Sequence, residues 1–585
     1  MSVQPSHQAH WWQLANRRLL EKILSEFSYE GLVSPQSQPV GDGLLRYQLP
    51  PEAGGWHWLG HTNLWGQSIV QPGSVRDADG QPAGDALTLL RSVLVPLQLD
   101  AVTLANYLHE TQQTLDADAR LLAARGGLCA ADWLAQPDDA VQALLDGHPK
   151  AIPSKGRLGW SARDSQRYAP EQPAGFRLRW LAVSTTLARP VYAAGWDAAR
   201  LLAHTCDAAD AARLQASLDS LPGHYSLLPV HPWQWQHRIA SQYAALFANG
   251  QLVDLGDGQA LYRAQPSLRT LYHTTQPKAA NLKLPLSILN TSAYRGLPAT
   301  YLAMTPALSD SLQQLLATDP LLAACGCRAL AEPAALFVPH PVYHGLSGVP
   351  YQLDEMLGAV WRDSPASQCA PGERVLMAAV LQQHDDRGQL LSAVMIQRSG
   401  LSGEAWLTRL CDAAVIPLYH LLARYGLGFI AHGQNLMLRF AGDVPVGVVL
   451  KDYQGDVFRA EQGWGAPPGM ADSLWQALPA MPPHYLLHNL WTGLFASVFR
   501  FLASSLHQAG LVDERAFYRL LRQRLHAYQQ AHPALTQQFA ALDLFQAEMP
   551  RLSLNRARFA AGYADSASRP IHALGPAIAN PLCQP

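Results

Sequence analysis

Residues 431–456 read AHGQNLMLRFAGDVPVGVVLKDYQGD, and this stretch decides the fold class. Leu436 to Phe440 and Val446 to Tyr453 are short runs rich in apolar residues, the pattern of strands. Ala441-Gly442-Asp443-Val444-Pro445 between them is turn chemistry. The spacing therefore predicts an antiparallel hairpin, with Asn435 opening one strand and Asp452 closing the other, both at one end of the sheet. Just upstream, Trp406 to Tyr425 has helical spacing, with a kink or interruption predicted at Pro417 and a stop at Gly426. Downstream, Leu486 to about Gln530 reads as helix again.

The same alternation extends toward the N-terminus. Leu268 to Thr275 and Leu282 to Leu289 have strand character, and Gln276 to Asn281 between them suits a hairpin loop. Tyr225 to Val230 is an apolar run stopped by His231-Pro232. The run PVHPWQWQ at 229–236 reads as an aromatic packing anchor. Residues 147–157, GHPKAIPSKGR, are a loop, because their Gly and Pro forbid regular structure. Trp11 to Phe27 and Leu87 to Leu122 carry apolar residues at helical spacing, so the first part is mainly helical. Sequential hairpins mixed with helices predict an α+β fold rather than a parallel α/β sheet.

Composition removes several function classes. The chain has 585 residues, 48% hydrophobic and 15% charged, with a formal net charge of -2. It lacks the global basic field that nucleic acid or an anionic membrane needs. Seven scattered cysteines make no disulfide framework, and Cys325-Gly326-Cys327 is a lone pair without the partner that a zinc site requires. No stretch of about 20 apolar residues is present, and the polar start resembles no secretion signal. A cytoplasmic protein is expected. Walker, Rossmann, zincin and nucleophile-elbow motifs are all absent.

Two clusters carry chemistry. The first is Ser267-Leu268-Arg269-Thr270, Lys283, and Asn290 to Arg295. A tight hairpin over 267–290 brings Ser267 and Arg269 beside Thr291 at its open end and leaves Lys283 nearer the closed end. Guanidinium forks, an ammonium and hydroxyls together suit phosphates or carboxylates. The competing reading is a solvated edge hairpin with ordinary surface Arg and Lys. The second cluster is His432, Gln434, Asn435 and Asp452. An amide oxygen beside a carboxylate suits Mg²⁺. Protein kinases use the same order of catalytic-loop Asn, hairpin and metal-binding Asp. The competing reading is that Asn435 and Asp452 cap turns and His432 is a satisfied buried histidine.

Taken together, GHPKAIPSKGRLGW, LLPVHPWQW, SLRT, KLPLSILNTSAYRGLP, LGAVWRDSP, IAHGQN and KDYQGD resemble the NRPS-independent siderophore synthetases of the IucA/IucC type, over most of the chain. The resemblance implies a cupped hand: a thumb at 1–150, fingers at 151–374 carrying the phosphate-binding hairpin, and a kinase-like palm at 375–585. It implies ATP contacts at Ser267, Arg269, Thr270, Lys283, Thr291, Arg295 and Gln434, carboxylate contacts at Arg295 and His432, and Mg²⁺ at Asn435 and Asp452. His148 and Lys155 are candidates for additional substrate contacts. Near the C-terminus, where relatives often carry a lysine, this chain has Arg551, Asn555 and Arg558. The activity implied is adenylation of citrate or a citryl monoamide, then condensation with an N-hydroxylated, acylated amino acid or diamine. Partners are these small molecules, with a homodimer or higher oligomer expected. A kinase-like phosphotransferase and a catalytically inactive siderophore-binding protein remain the alternatives.

Overall fold

The computed structural model describes residues 8–41, 43–291, 293–453, 455–567 and 574–584. Helix α1 (Ala9–Tyr29) buries Leu20, Ile23 and Phe27. It is followed by a four-stranded antiparallel sheet, β1 (Gln36–Gly41), β2 (Leu44–Gln48), β3 (His57–Thr62) and β4 (Ser68–Val70), which the helical periodicity around it did not announce. The expected helix over 87–122 is two helices. Pro96 cannot continue a helical ladder, and α2 (Ala86–Leu94) gives way there to α3 (Ala101–Arg125), which Asp100 caps through the Thr103 N–H. These elements share one core with Trp58, Leu90, Tyr107 and Ile152.

The middle of the chain holds two antiparallel sheets. One joins β5 (Arg179–Ser184), β6 (Tyr225–Val230) and β7 (Leu252–Asp257). The other, six-stranded, contains β8 (Thr270–His273) and β9 (Asn281–Lys283). The run predicted as one strand over 282–289 breaks at Pro285. β9 stays in the six-stranded sheet, and β10 (Leu286–Asn290) turns away to pair with β11 (Ala293–Arg295). Helix α4 (Ala299–Thr318) follows, and β12 (Gly358–Arg362) flanks β9 with Lys283 opposite Val360.

The last third is built on β13 (Glu373–Met377), β14 (Met437–Ala441) and β15 (Val444–Leu450). The β14–β15 hairpin closes through Gly442 and Asp443, both at positive φ, the tight two-residue turn whose twist matches the strands. Upstream, Gly403–Leu410 runs through a π-helical turn at Cys411–Val415 into α5 (Ile416–Tyr425), so the predicted interruption sits just before Pro417. Gly426 ends α5 in the left-handed conformation, as its position suggests. The C-terminal helical stretch is interrupted near Gly510 before α6 (Glu514–Ala531), and α7 (Leu554–Ala561) follows. Among the described residues, no helix is long and apolar enough to cross a membrane.

Candidate functional site

The site is built where three segments meet, beginning with the turn before β14. The His432 Nδ1 accepts from the backbone N–H of Gln434 at 3.2 Å and of Asn435 at 3.4 Å. An accepting Nδ1 puts the ring proton of a neutral imidazole on Nε2. Gly433 and Gly493 permit this turn. A Cβ on the first would stand 3.1 Å from that of Ala379, and on the second 3.0 Å from the Ala431 nitrogen.

At the same end of the hairpin, just beyond β15, Asp452 adopts φ +66°, unusual for a residue with a Cβ. Its carboxylate is ion-paired with Lys283 from β9 and with Arg362 from β12, the latter at 2.7 Å. Arg362 is fully buried and also donates to Glu332 at 2.8 Å. Burial opposes the Asp452 charge, but Arg362, Lys283 and Lys451 outweigh it and hold this carboxyl well below the usual range. Burial lowers Lys451 to about 8 despite Asp452 beside it. Asp456 is raised to about 6, first by burial and then by the Asp452 charge, and it accepts the Asn435 amide at 3.0 Å. Asn435 and Asp456 are thus in contact, and the Asp452 carboxylate lies near enough for its charge to act on Asp456. Among the described residues no cluster of three His, Cys, Asp or Glu could hold a metal alone. A cation bound here would therefore need water or phosphate oxygens as well, which is how Mg²⁺ is ordinarily held.

The phosphate-side residues converge by a different register from the tight hairpin expected. Thr270 pairs with Lys283, so the lysine lies at the open end. Arg269 accepts the Leu284 N–H through its backbone and donates its guanidinium to the Gly296 carbonyl, which places it next to Arg295. Arg295 in turn donates to the Asn290 carbonyl at 2.9 Å and the Thr291 hydroxyl at 2.6 Å. The Ser267 hydroxyl accepts from the Thr270 N–H at 3.3 Å. Leu268, Thr291 and Asp452, each inside one of these motifs, are among the few non-glycine residues at positive φ. Such strain tends to collect at functional positions.

The third segment is the 147–157 loop. His148 meets His432 edge to face, with ring centroids 6.5 Å apart. Gly156 lies so close to α3 that a Cβ would stand 2.5 Å from the Glu110 Cβ, and its carbonyl accepts the Asn290 amide at 2.7 Å. Lys155 is spoken for by an ion pair with Asp118 of α3. The Asp146 side chain, half exposed, is ion-paired with Arg125 at 2.6 Å. Of the C-terminal residues singled out from sequence, Asn555 pins this loop. It donates to the Lys150 carbonyl and accepts from the Ile152 N–H. Arg558 approaches Glu110 at 3.5 Å, and Arg551 donates to the Tyr29 carbonyl.

Sequence reasoning missed Arg362, Glu332 and Asp456 as members of the charge cluster. Arg362 sits in LGAVWRDSP and Asp456 ends KDYQGD, so both lay in motifs already noticed; Glu332 carried no local signal. A separate cleft of about 650 Å³, lined by Asn63, Trp65, Glu514 and Arg551 among others, contains none of the catalytic candidates.

Comparison with known proteins finds relatives over nearly the whole chain. A model of the IucA / IucC family matches residues 138–383, and one described as "Ferric iron reductase FhuF-like transporter" matches residues 404–566. The chain is 38% identical to aerobactin synthase of Escherichia coli, over 98% of both chains. Among solved structures, aerobactin synthetase IucC from a hypervirulent pathotype of Klebsiella pneumoniae superposes with a TM-score of 0.85 at 35% identity, covering 98% of each chain. The ATP-bound aerobactin synthetase IucA of the same organism gives 0.77 at 20% identity over 97% of this chain and 99% of that one, a likeness of fold.

Proposed function

Because the chain belongs to the IucA/IucC family of siderophore synthetases, we propose that it is an ATP-dependent, AMP-forming ligase that activates a carboxylate of citrate or a citryl monoamide and joins it to an amine. The observation that carries this reading is the convergence of Lys283, Arg362 and Lys451 around Asp452, with Arg269 and Arg295 adjoining. That density of cations matches a triphosphate and a polycarboxylate held together. A carboxylate is a poor electrophile, since its charge repels nucleophiles and its oxygen leaves badly. Attack of its oxygen on the α-phosphorus expels pyrophosphate and gives an acyl-adenylate. The amine nitrogen then attacks the acyl carbon, and AMP leaves with the bonding electrons.

Within this reading Ser267, Arg269, Thr270, Lys283, Thr291, Arg295 and Gln434 contact the nucleotide, and Arg295 and His432 contact the carboxylates. Asn435, Asp452 and Asp456 would hold Mg²⁺, which neutralises phosphate charge when bound. The chain's own contribution is positioning and charge neutralisation. The three-lobe division at 150 and 374 belongs to the same proposal. So does the preferred pair of substrates: a citryl monoamide with an N-hydroxylated, acylated amino acid or diamine. Remote contacts to the amide arm add transition-state binding, so free citrate is expected to be a poorer substrate. Comparing kcat/KM for the two acids with one amine tests this, and a clear preference for free citrate overturns it.

A further inference from the structure

We infer that Lys22, on α1 of the thumb, is a positioning residue that holds the His148 turn against His432. The inference rests on the reading above only for what the two histidines do, not for the clamp itself. Lys22 lies 126 residues from His148 in sequence, yet its ammonium donates to the His148 carbonyl at 2.8 Å and the Ala151 carbonyl at 2.7 Å. It therefore grips both ends of the four-residue turn. From within, the His148 Nδ1 accepts from the N–H groups of Lys150 at 3.2 Å and Ala151 at 3.4 Å. This is the same arrangement that fixes His432, and it commits a neutral His148 to carrying its proton on Nε2. With both Nδ1 atoms turned to their own backbones, the Nε2 edges are what each ring offers to other groups.

The support beneath Lys22 is a buried network of ion pairs. Glu26, one helical turn along α1, is buried between Lys150 at 2.9 Å and Arg500 at 2.5 Å. Glu30 adds to the Lys150 side at 3.9 Å. Such a buried network costs desolvation but defines one geometry. The charged groups facing Lys22 are Glu26 on its own helix, Asp118 on α3, Asp146 just before the loop and Lys155 on it. Burial, with Lys155 adding to it, brings the ammonium down to about 8 although Asp118, Glu26 and Asp146 favour it. The charge-assisted clamp therefore weakens as pH rises through about 8.

Two experiments test the clamp. In the first, pyrophosphate release is measured from pH 6.5 to 9.5 for wild type, Lys22→Met and Lys22→Arg. The Met variant should lose about tenfold or more in kcat with a smaller change in the KM for ATP. The Arg variant, charged throughout, should keep most of its activity, and its rate relative to wild type should climb above pH 8. The ratio cancels the substrate amine's own titration. In the second, which needs no turnover, NMR of ¹³Cε1-labelled histidine follows the His148 signal, identified by its loss in His148→Gln. It should shift in Lys22→Met and return toward its wild-type position in Lys22→Arg. An unmoved His148 signal in Lys22→Met overturns the clamp, whether or not the wild type turns over. A flat rate ratio between Lys22→Arg and an active wild type does so too. An inactive wild type with a shifted His148 signal instead leaves the clamp standing and counts against the proposed reaction.

Discussion

Arg295 is the residue on which the carboxylate and phosphate contacts are expected to meet. Replacing it with alanine should lower the adenylation rate by about 10²–10³, roughly 3–4 kcal/mol, the usual effect of losing one charge-stabilising donor. It also braces the β10–β11 turn through Asn290 and Thr291, so the variant's melting temperature must be read beside its rate. A folded variant with half of normal turnover removes Arg295 from the chemistry. Asp452→Asn should weaken the Mg²⁺ dependence of pyrophosphate release. It should also cost about 3 kcal/mol of stability, because Lys283 and Arg362 lose their common buried anion. An unchanged Mg²⁺ titration and denaturant midpoint would contradict both roles. The depressed Asp452 contributes stability above the unfolded carboxyl's pKa and loses it only as pH falls through its own, much lower value. It therefore stays ionised throughout the working range. Asp456 behaves oppositely. Raised to about 6, it is protonated below that pH. If it serves the cation, kcat/KM should show an acid limb near 6 that moves lower as Mg²⁺ is increased and changes shape in Asp456→Asn. A limb indifferent to both assigns it elsewhere. Asn435 and Asp452 were legible in the sequence because a hairpin has only one way to bring its ends together. Arg362 and Glu332 were not, because their partners lie 90 and 30 residues away and only the packed sheets unite them.

At the level of elements, local signals held where they depended on local chemistry. Gly426 ended α5, and the Gly442-Asp443 pair formed the turn. They failed where one proline outweighed apolar periodicity, splitting 87–122 at Pro96 and the strand at Pro285. The second break changes the site, for it frees β10 to carry Asn290 and Thr291 away from the sheet in which Lys283 stands opposite Thr270. The β1–β4 sheet escaped notice because β1 is exposed along its whole length and reads as polar coil. Gly156 joins the loop to both α3 and β10. Gly156→Ala should push the loop from Glu110 and disturb Asn290, and with it Arg295. The expected result is a fall in kcat of at least tenfold. A wild-type rate would show that the loop and α3 yield without consequence for Arg295.

Over the whole molecule, the N-terminal and middle regions keep cores of their own. The largest core gathers the last third together with Trp133, Leu134 and part of α4. Sequence order is therefore not spatial order: residues 130–145 and 308–330 contribute to a core most of whose members lie beyond residue 374. The site lies where these bodies meet, which explains why no one element displays it. The central claim is that this junction makes an acyl-adenylate and passes it to an amine. The most direct measurement is the fate of ATP labelled at the α- and γ-phosphates, incubated with the protein, Mg²⁺, a citryl monoamide and an amine. The account predicts labelled AMP and pyrophosphate in equal amounts, with amide product formed in step; labelled ADP with transfer of the γ-phosphate would contradict it.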